Sequence, residues 1–96
     1  MLEVRTTEVF DRWFAGLHDR AARARIKVRI DRLQLGNAGD AKPVGEGISE
    51  MRIHYGPDYH VYFVQQGKEL VILLAGGDKS TQASDIQSAQ QLSRNL

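Results

Sequence analysis

The stretch Ile48–Ala75 reads ISEMRIHYGPDYHVYFVQQGKELVILLA, and its two-residue period decides the fold class. Along an extended chain, successive side chains point to opposite faces. Met51, Ile53 and Tyr55 therefore point one way, and Glu50, Arg52 and His54 the other. Gly56-Pro57-Asp58 is a turn. Tyr59–Gln65 alternates again, with Val61 and Phe63 opposite His60 and Tyr62. Gln66-Gly67-Lys68 makes a second turn. Leu70–Ala75 is apolar on both faces, as expected of an interior strand. The result is a three-strand antiparallel meander, which needs helices as a cover.

The helices lie upstream. Leu2–Arg5 alternates like a short edge strand, and Thr6 or Thr7 offers a helix cap. Phe10, Trp13, Phe14 and Leu17 then follow at i, i+3, i+4 and i+7, one apolar stripe on a short helix. Gly16–Asp19 ends it and caps the next, whose stripe is Ala22, Ile26, Ile30 and Leu33. Two short stripes and a tight connection predict a helical hairpin laid on the sheet. Gly36–Asp40 stops the second helix, and the segment through Pro43, Gly45 and Gly47 reads as a loop. Gln82–Arg94 reads as a third helix. Its apolar positions, Ala83, Ile86, Ala89 and Leu92, drift around the axis, which predicts weak packing or movement.

With 96 residues, residues 1–96 are expected to form one α+β domain with a thin core. There is no cysteine, which excludes a disulfide framework and a thiolate metal site. The three histidines lack the helical spacing of a known zinc motif, so no metal or other cofactor is expected. No apolar run reaches the ~20 residues of a membrane span, and the amino terminus lacks a signal-peptide stretch. A cytoplasmic location fits. Net charge is +1, but six of the thirteen basic residues lie between Arg20 and Arg32. That density permits a nucleic-acid partner and equally fits a solvated helix face.

After the apolar strand comes Gly76-Gly77-Asp78-Lys79-Ser80-Thr81-Gln82. Two glycines predict a sharp exit from the sheet. A phosphate-binding P-loop fails on spacing: Asp78 precedes Lys79, and Ile72 stands where the first glycine belongs. The plainer reading is a turn with a helix cap at Ser80 or Thr81. Arg52 and His54 share one strand face, His60 and Tyr62 share a face of the next strand, and Lys79 leaves the end of the third. If these faces meet, a guanidinium, two imidazoles, a phenol and an ammonium converge. Arginine can grip phosphate oxygens in a bidentate way, lysine supplies a point charge, and histidine carries protons near neutral pH. An ordinary polar sheet face accounts for the same alternation.

Five segments carry a resemblance to a known family: Phe10-Asp11-Arg12-Trp13-Phe14, Lys42-Pro43-Val44-Gly45-Glu46-Gly47, Ser49–Pro57, Tyr59-His60-Val61-Tyr62-Phe63 and Gly76–Gln82. Together with the element order, they resemble the RelE/ParE toxin superfamily over nearly the full chain. The nearer likeness is to its HigB-like branch of addiction-module killer proteins. The resemblance implies a RelE-like fold: a β-strand, a helical hairpin, a three-strand antiparallel meander and a C-terminal helix. It also implies a toxin of a bacterial type II toxin–antitoxin pair that cleaves mRNA on the ribosome. Such a toxin is neutralised by a small antitoxin, often of helix-turn-helix type.

Residue by residue, Arg52 matches the arginine of the first meander strand, Lys79 the basic residue after the last strand, and Tyr62 the aromatic position of the second. His60 departs from the pattern Tyr-Arg-Val-Tyr-Phe, where arginine is usual. It either loses a fixed charge or gains a proton-transfer role. The implied chemistry is metal-independent attack of the ribose 2′-hydroxyl on phosphorus. Arg52 and Lys79 would stabilise charge, and His60 and His54 would move protons. Tyr62 would stack on a base or pack. Arg23, Arg25, Lys27, Arg29 and Arg32 would dock on RNA. Two alternatives from other classes stay open: a ParE-like DNA gyrase poison, and a degenerate, non-catalytic antitoxin-binding partner.

Overall fold

The computed structural model describes residues 1–96. The elements are β1 (Glu3–Thr6), α1 (Glu8–Ala15), α2 (Arg20–Gln34), β2 (Ala41–Pro43), β3 (Ile48–Ile53), β4 (Tyr59–Gln66), β5 (Leu70–Asp78), a single 3₁₀ turn (Lys79–Thr81) and α3 (Gln82–Arg94). They build a five-stranded mixed sheet of order β1-β5-β4-β3-β2. β1 runs parallel to β5, and every other pairing is antiparallel. The architecture is α+β and compatible with a RelE-like fold. No helix is long and apolar enough to cross a membrane.

The helical hairpin forms where the stripes predict it. The Thr7 hydroxyl accepts from the Phe10 amide, and the Asp19 carboxylate accepts from the Ala21 and Ala22 amides. Such caps satisfy orphan helix donors and are typically worth about 1 kcal/mol each. The stripes bury Phe10, Ala22, Ile26 and Leu33 against Met51, Ile53, Tyr59, Val61, Phe63, Val71 and Leu73. That is one face of the sheet, the odd-numbered side chains of β3 and β4.

The other face departs from expectation. Instead of a solvated polar surface, it carries a second apolar layer of Ile48, Tyr62, Val64, Ile72, Leu74, Ala75 and Ala89. α3 covers it. Ala89 is fully buried, and Ile86 and Leu92 pack beside it. The expectation of weak packing fails because polar side chains share in the docking. Gln82 donates to Glu50, Gln90 donates to the Val44 carbonyl, and Arg94 forms a two-pronged pair with Glu46 at 2.6 and 2.7 Å. An apolar-periodicity reading counts none of these.

Two further expectations are corrected. Ala41–Pro43 is a strand rather than loop, pairing Lys42 with Glu50 and Pro43 with Ser49. Pro43 is tolerated there because β2 is a sheet edge. Gly76 and Gly77 do not turn the chain out of the sheet, for β5 runs through both to Asp78. Their lack of a side chain serves close packing. A Cβ on Gly76 would lie 2.6 Å from Trp13 Cδ2, inside the indole, and one on Gly77 would lie 2.7 Å from Asp85 Cγ. The exit comes at Asp78, whose carboxylate accepts from the Ser80 amide. Thr81, the first residue before α3, makes no side-chain cap.

Candidate functional site

Register sets the site. Arg52 stands directly opposite His60, and His60 opposite Gly77. One row along, Lys42, Glu50, Tyr62 and Ala75 line up across four strands. Lys79 follows β5 at the same end of the sheet, its amide donating to the Pro57 carbonyl. The outcome is a shallow cleft of ≈ 260 Å³, lined by Lys42, Arg52, His54, Asp58, His60, Lys79 and Gln82, without one apolar residue. Arg52, His54, His60 and Lys79, expected from sequence to converge, all line it.

Two of these side chains are held by one carboxylate. Asp40 accepts from Arg52 Nε at 3.2 Å and Nη2 at 2.7 Å, and its other oxygen lies 2.8 Å from His54 Nε2. The Arg52 hydrogen bond, followed by that of His54, holds the Asp40 carboxyl below its usual range. His54 is also 3.6 Å from Asp58 through Nδ1. Two carboxylates thus flank its ring.

His60 is different in kind. Only 5% of it is exposed, and its Nδ1 has no hydrogen-bond partner. A buried polar atom left unpaired is costly and calls for a reason. Asp78, nearby on β5, has its carboxyl held down chiefly by Ser80, with His60 adding a smaller electrostatic contribution.

Beneath the cleft lies Glu50, a carboxylate with no exposed surface. Its Oε2 accepts from the Tyr62 hydroxyl at 3.0 Å and from Gln82 Nε2 at 2.9 Å. Burial, then the charge of Glu50, pushes the Tyr62 phenol far above its ordinary value. Tyr62 is itself fully buried. Its ring packs in the second apolar layer and offers no face to a base, so the stacking role expected of it is withdrawn.

The basic helix is also less free than its sequence suggests. Arg29 donates to the carbonyls of Arg52, Ala38 and Asp40 at 2.6, 3.1 and 3.2 Å. It pins the loop that carries Asp40. Arg25 lies over the Tyr55 ring at 4.4 Å, and Lys27 pairs with Asp31. Arg23 and Arg32 have no carboxylate partner within the ion-pair distance. Arg25, Arg29 and Arg32 line a groove of ≈ 660 Å³ between α2 and the end of β3, with Ala24, Val28 and Tyr55.

Sequence reading missed Asp40, Lys42, Glu50, Asp58 and Gln82. Glu50 and Arg52 share a strand face by simple alternation, and that was the one available signal. Asp40 looked like part of a helix-stopping turn, and Lys42 like loop.

The chain matches the family model described as phage derived protein Gp49-like (DUF891) over residues 12–94. It is also similar to an uncharacterised protein of Haemophilus influenzae, 50% identical over 95 residues, which span 99% of this chain and 96% of the relative. The chain belongs to the Gp49-like family, a RelE/HigB-like toxin family. That membership is consistent with the toxin of a toxin–antitoxin pair, whose partner is a cognate antitoxin.

Proposed function

We propose that this protein is an mRNA endonuclease acting on the ribosome, the toxin half of a type II toxin–antitoxin pair. The observation that supports it most is the cleft itself: Arg52, His54, His60 and Lys79 line one wholly polar recess beside the last sheet strand. In this reading the ribose 2′-hydroxyl attacks the adjacent phosphorus, the P–O5′ bond breaks, and a 2′,3′-cyclic phosphate is left. The base takes the 2′-hydroxyl proton and the acid gives one to the departing 5′-oxygen. His60, which lines the recess, suits the base. His54, between Asp40 and Asp58, suits the acid. Arg52 and Lys79 offset charge on the phosphoryl oxygens. Fixed donors of this kind are typically worth ~2.7–4 kcal/mol each. A modest site is enough if the ribosome positions the RNA, because positioning alone removes several kcal/mol of barrier. Arg23 and Arg32 supply contacts to ribosomal RNA, and a helix-turn-helix antitoxin neutralises the toxin.

Induced expression without antitoxin tests this. Growth should arrest, and mapping of mRNA 5′ ends should reveal cuts in translated messages. Arg52→Ala and Lys79→Ala should each fold and lose roughly 100- to 1,000-fold in cleavage. Arrest with intact messages and a DNA-damage response would replace the nuclease with a gyrase poison. Soluble variants that stay fully toxic would remove the site assignment.

A further inference from the structure

The cleft holds a cation that neither alternation nor family likeness singled out. Lys42 sits on the edge strand β2, directly opposite Glu50. Its Nζ is 4.0 Å from Glu50 Oε1, and half its side chain is exposed to the cleft mouth. Glu50 Oε1 is buried and accepts no hydrogen bond. The partners of Glu50 Oε2, the Tyr62 phenol and the Gln82 amide, are both neutral. Lys42 is therefore the only cation paired with a fully buried carboxylate, whose charge would be very costly to leave alone.

We propose that Lys42 is a further phosphate-binding residue of this cleft and that Glu50 is its positioning residue. The inference rests on the nuclease reading, in that the bound phosphate is one of single-stranded RNA. Three features carry it. The ammonium lies 4.0 Å from Glu50 Oε1, where the carboxylate's charge draws a flexible side chain toward the rim. Its outer half remains open to solvent, so hydrogens are left for a ligand. The same recess contains the buried, unpartnered Nδ1 of His60, a second polar group without a protein partner. Asp40 holds Arg52 by two hydrogen bonds, and Glu50 attracts Lys42 by charge alone across 4.0 Å.

The test is binding of a short single-stranded RNA whose 2′-hydroxyls are all O-methylated, which cannot be cut by 2′-hydroxyl attack. Affinity is followed by amide chemical shifts across a salt series. Wild type should bind with shifts at Arg52, His60 and Lys79. Lys42→Ala should weaken binding about tenfold and flatten the dependence of log K on log salt by about 0.7, the value of one phosphate contact on a single strand. Lys42→Arg should keep the charge and most of the affinity. Glu50→Gln, which preserves shape and an acceptor for Tyr62, should weaken binding in the wild-type background but change nothing in Lys42→Ala. If Lys42→Ala keeps wild-type affinity and salt slope while Arg52→Ala and Lys79→Ala lose binding, the inference is overturned and the nuclease reading stands. If none of the three alters binding, the cleft is not a phosphate site and both fall.

Discussion

Tyr62→Phe keeps the ring and removes only the hydroxyl, so it isolates the hydrogen bond to Glu50. In the folded protein that hydroxyl donates to Glu50 at 3.0 Å, and both side chains are fully buried. A hydrogen bond to a charged group contributes about 1.5–3 kcal/mol. A domain of this size loses roughly 4–8 °C of melting temperature per kcal/mol. The variant should therefore melt roughly 6–24 °C lower than wild type. An alkaline signature accompanies this. The folded phenol is raised above its ordinary value of 10.0 by burial and Glu50. A raised group contributes stability fully present below the unfolded value and lost as pH climbs above it. Wild type should thus lose stability above about pH 10, and Tyr62→Phe should lose less. Tyr59, raised chiefly by burial, supplies the remainder. Thermal unfolding followed by circular dichroism at pH 7 and between pH 9 and 11 (roughly the range of a free phenol) measures both effects. A melting point within about 2 °C of wild type, the size of an ordinary surface change, would refute the buried-carboxylate account.

The other predictions concern packing and charge. Gly76→Ala should destabilise by about 1–2 kcal/mol: overpacking against Trp13 outweighs the gain from a stiffer unfolded chain. Trp13→Leu in the same chain should return part of that loss in urea titrations. The depressed Asp40 carboxyl stabilises the fold above its ordinary value of 3.8, and that contribution is lost as pH falls through the lower folded value. Asp40→Asn should accordingly flatten the acid limb of stability, leaving what Glu46 and Asp78 contribute. His60→Gln should lower message cleavage by roughly 100-fold or more, the usual scale of acid–base catalysis. Equal or higher cleavage in His60→Arg would mean that this position contributes charge, and the base would have to be sought elsewhere.

What could be read from the chain was whatever follows a single period. The hairpin stripes, the meander and its turns, and the bounds of α3 all rest on apolar repeats or turn chemistry. So does the convergence of Arg52, His54, His60 and Lys79, which needs only strand alternation and a common sheet end. The failures arise where polar side chains do the packing. Glu50 and Tyr62 look like solvent-facing residues until α3 is laid over them. α3 looks poorly amphipathic because Gln82, Gln90 and Arg94 hold it as much as Ile86, Ala89 and Leu92 do. Gly76 and Gly77 looked like punctuation, yet their bareness admits the indole of Trp13 and the carboxylate of Asp85 from opposite sides. Nothing local in the sequence distinguishes the guanidinium of Arg29, bound to three carbonyls, from one in water.

The parallel pairing of β1 with β5 has a temporal meaning. Val4 lies beside Val71 and Thr6 beside Leu73, so the first strand of this sheet waits for the last. Until then its open edge and the stripe of α1 behind it have nothing lasting to rest on. Such distant pairings slow folding, because a long loop must close before any contact rewards it. Lys79 and Gln82 follow a few residues later, and with them the cleft. The pairing that completes the sheet is thus also the one that brings the cleft's last side chains into place.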